Sequence, residues 1–124
     1  MKKKFEGREK KFENSKQNGI NTYALKGELI DKNQSAELLQ EIESAITHNE
    51  NKILLNLQDL NYINSSGLNV LISILTKSRR SGGEVAIFNV NKKITELLVI
   101  TKLSNVFNVS DSASEAIAVL NKAN

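Results

Sequence analysis

Apolar positions change their spacing several times along the chain, and each change marks a predicted element. Residues 20–26 alternate between apolar and polar side chains, with Tyr23 and Leu25 on one face, which is typical of a half-buried strand. Residues 53–57 form a nearly continuous apolar run, as expected for a strand covered on both faces. Shorter segments predict further strands at residues 84–90 and 106–109.

Helical spacing separates these strands. Residues 32–48 carry apolar side chains at the i, i+3, i+4 and i+7 positions of an amphipathic helix, and residues 65–80 repeat that pattern. The second helix should end at Gly82-Gly83. The core stripe of its inward face should consist of Leu68, Leu71, Ile72 and Leu75, and Val70 and Ile74 should widen it. Two further helices are predicted, from Asn91 to about Thr101 and from Ser112 to Leu120.

Strands that alternate with helices predict right-handed crossovers and a mostly parallel sheet. Residues 3–14 are dense in charge and should form an exposed edge strand, paired antiparallel with residues 20–26 through a turn at Asn18-Gly19. We therefore predict one α/β domain over residues 1–124, with a mixed sheet of four to five strands and about four helices. The predicted order is β-β-α-β-α-β-α-β-α, and the edge segment 1–14 is its least determined part.

Composition supports a soluble globular protein. The 124 residues are 40% apolar and 25% charged, which is enough for a single core. The absence of cysteine excludes disulfides and thiolate metal sites. The sequence shows neither a secretory signal nor an apolar stretch of membrane-spanning length, so we expect a cytoplasmic protein without membrane insertion.

The basic charge is concentrated at the start of the chain. Residues 1–13 contain six Lys or Arg and three Glu, so their net charge of +3 equals that of the whole sequence. The rest of the chain is neutral and offers no aromatic platform for bases. We therefore expect no direct contact with nucleic acid.

Few side chains are available for catalysis. His48 is the only histidine, and with no cysteine present it has no partner for a triad or a zinc site. Gly82-Gly83 lacks the downstream Gly-Lys-Ser/Thr of a phosphate-binding P-loop. These observations predict no enzymatic activity, no metal and no cofactor.

The most informative segment is Asn64-Ser65-Ser66-Gly67-Leu68, where an apolar strand gives way to a helix. A serine here lies near unpaired backbone N–H groups and the positive end of a helix dipole, and such a site accommodates phosphate. Local chemistry alone favours a simpler role, since serine commonly caps helices.

Three loops should meet at the carboxyl edge of the parallel strands, where α/β proteins usually place their sites. They are Ile30 to Asn33, Tyr62 to Gly67 and Asn89 to Asn91. Their side chains are small or neutral, which suits docking of a protein around a hydroxyl better than catalysis in a pocket. The candidate partner-binding residues are Ile30, Asp31, Asn33, Tyr62, Asn64, Ser66, Gly67, Asn89 and Asn91.

The pentapeptide at 64–68 resembles the Asp-Ser-Ser-Gly-Leu signature of the STAS-domain family, whose best-known single-domain members are bacterial anti-sigma-factor antagonists. The similarity extends over residues 19–120 and includes Gly27-Glu28-Leu29, the strand 53–57, and Gly82-Gly83 before Val85-Ala86-Ile87. The resemblance implies a STAS-like mixed sheet. It also implies that the first serine of the pair, Ser65, is the phosphorylated residue.

Three positions depart from the family pattern. Asn64, Asn56 and Ile30 stand where family members commonly have aspartate. The site has therefore lost negative charge beside its serine. This change would ease the accommodation of a phosphate, or it would alter the docking of a kinase.

The resemblance implies a phosphorylation-controlled switch that antagonises an anti-sigma factor acting as a serine-protein kinase. Unmodified protein would bind the anti-sigma factor and free the sigma factor. Phosphorylation of Ser65 would break this contact, and a serine phosphatase would restore it. The alternative is a constitutive STAS-type interaction subunit of a membrane transport or signalling assembly, in which Ser65 only caps a helix.

Overall fold

A computed structural model describes residues 12–29 and 32–122 of the chain. In this part it contains five strands, four α-helices and one 3-10 turn, in the predicted order β-β-α-β-α-β-α-β-α. The elements are β1 (Phe12–Gln17), β2 (Ile20–Leu29), α1 (Lys32–Thr47), β3 (Lys52–Ile63), α2 (Ser65–Arg80), β4 (Glu84–Phe88), α3 (Lys92–Ile100), the 3-10 turn (Leu103–Asn105), β5 (Asn108–Ser110) and α4 (Ala113–Lys122).

The strands form one mixed sheet in the order β1-β2-β3-β4-β5. β1 and β2 are antiparallel, and all other neighbours are parallel. Asn18 and Gly19 join the hairpin with φ values of 55° and 81°, the left-handed conformation that a tight two-residue turn requires. The mixed sheet and the predicted turn are confirmed. The predicted edge strand is confirmed from Phe12 onward, whereas residues 3–11 lie outside the described part.

The sheet is covered on both faces. Alternate residues of β3 point to opposite sides, so that Ile53, Leu55 and Leu57 join the larger core while Leu54 joins a smaller one. Helices α1 and α2 pack on the side of the larger core, which contains Ile42 and Leu71, both with 0% exposure. The smaller core lies beneath α4 and consists of Ile20, Leu54, Ala86, Phe88, Ala116 and Leu120.

The inward face of α2 is broad, as the sequence indicated. Leu68, Leu71 and Leu75 are buried as predicted, but Ile72 is only half-buried. Val70 and Ile74, which were predicted to widen the face, are both buried. A helix packed on a sheet and beside a second helix buries a wider stripe than one contact surface alone requires.

β3 is longer than the predicted strand 53–57 and ends at Ile63. The added residues pair with the end of β2, through Glu28 opposite Tyr62 and Leu29 opposite Ile63. Two irregularities in the register give β3 extra residues relative to β2. These bulges interrupt the alternation of apolar and polar side chains, so the pattern in the sequence predicted a strand shorter than β3.

Two glycines end α2. The amide of Gly82 donates to the carbonyl of Arg79 at 3.0 Å, and that of Gly83 donates to the carbonyl of Ser78 at 2.8 Å. This pair of bonds is a Schellman motif, with Gly82 at φ 88° in the left-handed position. Gly83 has a different role, because a Cβ atom there would lie 2.0 Å from the carbonyl oxygen of Asn51.

We expect Gly83→Ala to destabilise the protein more than Gly82→Ala. The first change forces a backbone contact apart, at a cost of about 2–3 kcal/mol. The second places alanine in a left-handed conformation with open space around it, at a cost of about 1 kcal/mol. Urea unfolding of the two variants measures the difference, and an equal or inverted order would contradict the close contact.

Truncation of the larger core gives a second test. We expect Leu71→Ala to lower the free energy of unfolding by about 2–5 kcal/mol, because the side chain is completely buried. The matched control is Ile72→Ala, which removes a half-buried side chain from the next position of the same helix. A melting temperature that falls as far for Ile72→Ala as for Leu71→Ala would show that α2 packs through a different face.

Candidate functional site

The site begins where β2 and β3 end side by side. Leu29 is the last residue of β2 and is paired with Ile63, the last residue of β3. Both strands therefore end at the same edge of the sheet. Two residues after Ile63, at Ser65, α2 begins.

Asn64 is the N-cap of α2. Its backbone is extended, with φ −116° and ψ −170°, and its Oδ1 accepts a hydrogen bond from the amide of Gly67 at 2.9 Å. Its carbonyl accepts the first helical bond, from the amide of Leu68 at 2.9 Å. The simpler interpretation of the sequence, in which Ser65 or Ser66 caps the helix, is therefore wrong.

Because Asn64 serves as the cap, both serine hydroxyls are released from that role. Ser65 and Ser66 occupy the first two helical positions, and both residues are exposed. Gly67 and Leu68 are buried and anchor this turn against the protein. The first turn of α2 contains no acidic residue, so the positive end of its dipole is not neutralised by its own side chains.

Amide side chains hold the predicted loop from Asn89 to Asn91, which follows β4. Asn89 adopts φ 61° and donates from Nδ2 to Oδ1 of Asn56 at 3.1 Å. The same Asn56 oxygen accepts from the backbone amide of Gln58 at 3.0 Å. Asn91 caps α3 through the amide of Ile94 at 2.8 Å and donates to the carbonyl of Leu60 at 3.0 Å.

The three loops converge only in part. The ends of β2 and β3 are adjacent, so the backbone of Leu29 lies beside the Ser65 junction, whereas most of the loop from Ile30 to Asn33 lies outside the described residues. β4 ends much earlier, with Phe88 opposite Asn56. Asn91 is bound at Leu60, four residues before Asn64, which corresponds to about 13 Å along a strand. Asn89 and Asn91 are thus set back from the serines.

The remaining candidates fall into different environments. Tyr62 is 52% exposed and stands next to the junction. Gly67 is buried, so it shapes the surface only through the backbone of α2. Asn33 lies in the first turn of α1, and its side chain is not described. Ile30 and Asp31 lie outside the described residues.

The sequence interpretation named Asn64 and Asn91 as candidates but missed that they cap helices, and it did not name Gln58. Asn64 and Asn91 each stand directly before a helical pattern, and asparagine is among the preferred N-cap residues, so this signal was present. No comparable signal marks Gln58. Its backbone contact with Asn56 depends on the path of β3, and its side chain approaches Asn89 at 3.5 Å only in the folded chain.

Among residues 12–29 and 32–122, no three His, Asp or Glu side chains are grouped so that they could hold a metal ion. In the same part of the chain, no helix has the length and apolar character needed to cross a bilayer. The geometry around Ser65 is that of an exposed helix start beside paired strand ends.

This fold is shared with known proteins. The family model described as the STAS domain matches residues 11–116, which is most of the chain. The protein therefore belongs to the STAS domain family.

Its similar relatives carry related names. A Thermotoga maritima protein, provisionally named an anti-sigma factor antagonist, is 38% identical over 66 residues, and the match covers 53% of this chain and 58% of that relative's length. The anti-sigma F factor antagonist of Paenibacillus polymyxa is 29% identical over 103 residues, covering 82% of this chain and 87% of that protein. A crystal structure of a provisionally named anti-sigma factor antagonist from Thermotoga maritima has a TM-score of 0.78 at 27% identity, covering 89% of this chain and 94% of that one.

We expect Asn64→Ala to lower the free energy of unfolding by about 1 kcal/mol, because the amide of Gly67 loses its cap. Asn64→Asp should be nearly neutral, since aspartate caps equally well. Ser65→Ala should change stability by less than about 0.5 kcal/mol, the usual range for an exposed side chain. Urea unfolding measures all three, and a Ser65→Ala loss as large as that of Asn64→Ala would assign the cap to the serine.

Proposed function

We propose that this chain is an anti-sigma factor antagonist, a protein-binding switch whose docking surface surrounds Ser65. The observation that carries the proposal is the exposed Ser65 hydroxyl at the start of α2, beside a cap that Asn64 supplies on its own. A kinase can modify such a hydroxyl without dismantling the helix. Membership of the STAS family and the names of the relatives support the same assignment.

The partner is an anti-sigma factor that also acts as a serine-protein kinase. It transfers the γ-phosphoryl group of ATP to the Ser65 oxygen, and a serine phosphatase later hydrolyses that ester. The antagonist itself performs no catalysis, binds neither nucleic acid nor membrane, and works in the cytoplasm.

Phosphorylation would change the charge of the docking surface sharply. A phosphoserine adds about 1.5 to 2 negative charges at neutral pH. The first turn of α2 has no charge of its own with which to mask this addition, and the neighbouring asparagines are neutral. A loss of about 3 kcal/mol in docking free energy would weaken partner binding roughly a hundredfold.

The proposed docking surface has an aromatic centre and a polar margin. Tyr62 is an exposed aromatic residue beside the junction, and such residues frequently dominate binding energy at interfaces. Asn64 and Ser66 lie next to it along the chain, and the segment with Ile30, Asp31 and Asn33 follows the end of the paired strand. Asn89 and Asn91, set back along β3, belong to the outer margin.

The serine assignment is tested with paired substitutions. Ser65→Ala should still bind the anti-sigma factor but should no longer be phosphorylated. Ser65→Asp should bind the anti-sigma factor more weakly, because it adds negative charge to the contact. Ser66→Ala and Ser66→Asp are the matched controls on the adjacent exposed residue. Calorimetry and phosphate transfer are measured with the host's anti-sigma factor. Labelling that persists in Ser65→Ala and disappears in Ser66→Ala would reverse the assignment.

Asn64 is proposed to adjust how readily Ser65 accepts phosphate. Asparagine is nearly the same shape as aspartate but is uncharged and carries two donors. We expect Asn64→Asp to alter the rate of Ser65 phosphorylation or the affinity for the partner, with an unchanged melting temperature, because either residue caps α2. Identical rates and affinities would leave Asn64 with its capping role alone.

One observation favours a second candidate, a constitutive STAS-type subunit of a membrane transport or signalling assembly. Asn56 and Asn64 replace aspartates that family members commonly carry, and both amides are engaged in holding the local backbone. In this case Ser65 would carry no phosphate. Mass spectrometry of the protein purified from its host separates the two, since stoichiometric phosphate on Ser65 is expected only for the switch.

A further inference from the structure

The outer edge of β5 is a part of the sheet that the proposed docking surface does not use. Within residues 12–29 and 32–122, β5 pairs with β4 alone, so its other side offers unpaired backbone N–H and C=O groups. β4 lies between β5 and β3, which puts the outer edge of β5 more than one strand spacing, about 10 Å, from the strand that leads to Ser65. The β5 edge is therefore separate from the Ser65 junction.

Exposed apolar side chains are concentrated around this edge. Val109 is the middle residue of β5, and Val106 precedes the strand by two positions. The 3-10 turn contacts both α3 and β5, which links the end of α3 to the same edge. A group of apolar residues beside an open strand edge indicates an interaction surface, whereas single ones are ordinary. Of the large apolar residues that are exposed in the described part of the chain, all except Tyr62 lie between residues 99 and 117: Val99, Ile100, Val106, Val109 and Ile117.

The two edge strands of the sheet differ in the features that prevent pairing with another chain. β1 carries Glu13 and Lys16, and charged side chains on an edge strand oppose further pairing. β5 has no charged residue and no proline, and only its length of three residues limits it. Backbone pairing at β5 is therefore weak by itself and needs side-chain contacts on either side of the strand.

The charges that flank β5 have opposite signs at its two ends. Residues 99–107 contain Lys102 and no acidic residue, whereas residues 111–117 contain Asp111 and Glu115 and no basic residue. Lys102 and Asp111 are exposed, and among the described residues neither side chain is in an ion pair. The edge is thus basic where β5 begins and acidic where it ends.

Arg79 anchors the beginning of this edge. Its Nε donates to Oε1 of Glu84 at 2.7 Å, and its Nη2 donates to the carbonyl of Val106 at 3.0 Å. Because Glu84 compensates the charge of Arg79, Lys102 supplies the remaining positive charge of the segment that leads into β5.

We propose that the β5 edge binds the β5 edge of a second copy of this chain in antiparallel orientation, so that two five-stranded sheets join into one. A two-fold axis places the beginning of each strand beside the end of the other. The Lys102 end of one copy then lies beside the Asp111 end of the other, and this happens twice. A parallel pair would instead bring like charges together.

The register of this pair follows from the symmetry. With Val109 opposite Val109 of the second copy, Asn108 lies opposite Ser110, and all three residues of β5 take part. The two Ser65 junctions then face opposite directions, because the two sets of strands run in opposite directions. This arrangement does not rest on the function proposed for Ser65.

Analytical ultracentrifugation of the full chain, from micromolar to millimolar concentration, tests the dimer. The measured mass should rise reversibly from one chain to two. Val109→Lys places two like charges opposite each other at the centre of the contact and should leave the protein monomeric. Ser15→Lys, on an exposed residue of the opposite edge strand β1, is the matched control and should dimerise like the unmodified chain.

Charge reversal tests the orientation and does not depend on the folding of Val109→Lys. Lys102→Glu and Asp111→Lys should each weaken the dimer about tenfold, because each brings like charges together at both ends of the contact. An equimolar mixture of these two variants should recover the original affinity, since every end then joins opposite charges. Melting temperatures measured on the same samples show whether each variant is folded.

A monomer over the whole concentration range would overturn the proposal. A dimer that Val109→Lys leaves intact would also overturn it, because another surface would then join the chains. A mixture of the charge variants that dimerises no better than either alone would exclude the antiparallel orientation. Ser65 phosphorylation should proceed equally in Val109→Lys and in the unmodified chain, so failure of the dimer leaves the function proposed for Ser65 untouched.

Discussion

The side-by-side ending of β2 and β3 is the constraint on which the rest of the structure depends. β3 lies in the middle of the sheet and buries one face under α1 and α2 and the other under α4. The burial of both faces fixes its position, because a shift by one residue would exchange the side chains that fill the two cores. Pairing of Leu29 with Ile63 then carries the chain to one edge of the sheet, where Asn64 starts α2.

At that edge the structural role and the proposed signalling role fall on different residues. Asn64 satisfies the amide of Gly67, while buried Gly67 and Leu68 hold the first turn of α2 against the core. The two serines are left exposed on a helix start that favours negative charge. The proposed phosphate on Ser65 would therefore add charge to this surface without removing the cap of α2.

The two ends of the sheet differ in their polar chemistry. Around the Ser65 junction and the end of β4, uncharged asparagine amides hold the backbone through short contacts such as Asn91 with Leu60. At the opposite end, burial, followed by the carboxylates of Glu41 and Glu50, raises the pKa of Tyr23. A neutral rim suits a protein contact that is controlled by added charge. α1 is the element that reaches both regions.

The sequence by itself determined the order of elements and the mixed sheet. It also determined the turn at Asn18 and Gly19 and the position of Ser65 at a strand-to-helix junction, because periodicity and turn chemistry act between near neighbours. The tertiary structure decided the rest. The extension of β3 to Ile63 depends on pairing with β2 across bulges that disturb its alternation. The set-back of Asn89 and Asn91 depends on where β4 ends against β3. The choice of Asn64 over its adjacent serines as the cap depends on the backbone direction at the end of β3. The first two of these outcomes are interactions between segments far apart in the chain, and such interactions leave no periodic trace in the sequence.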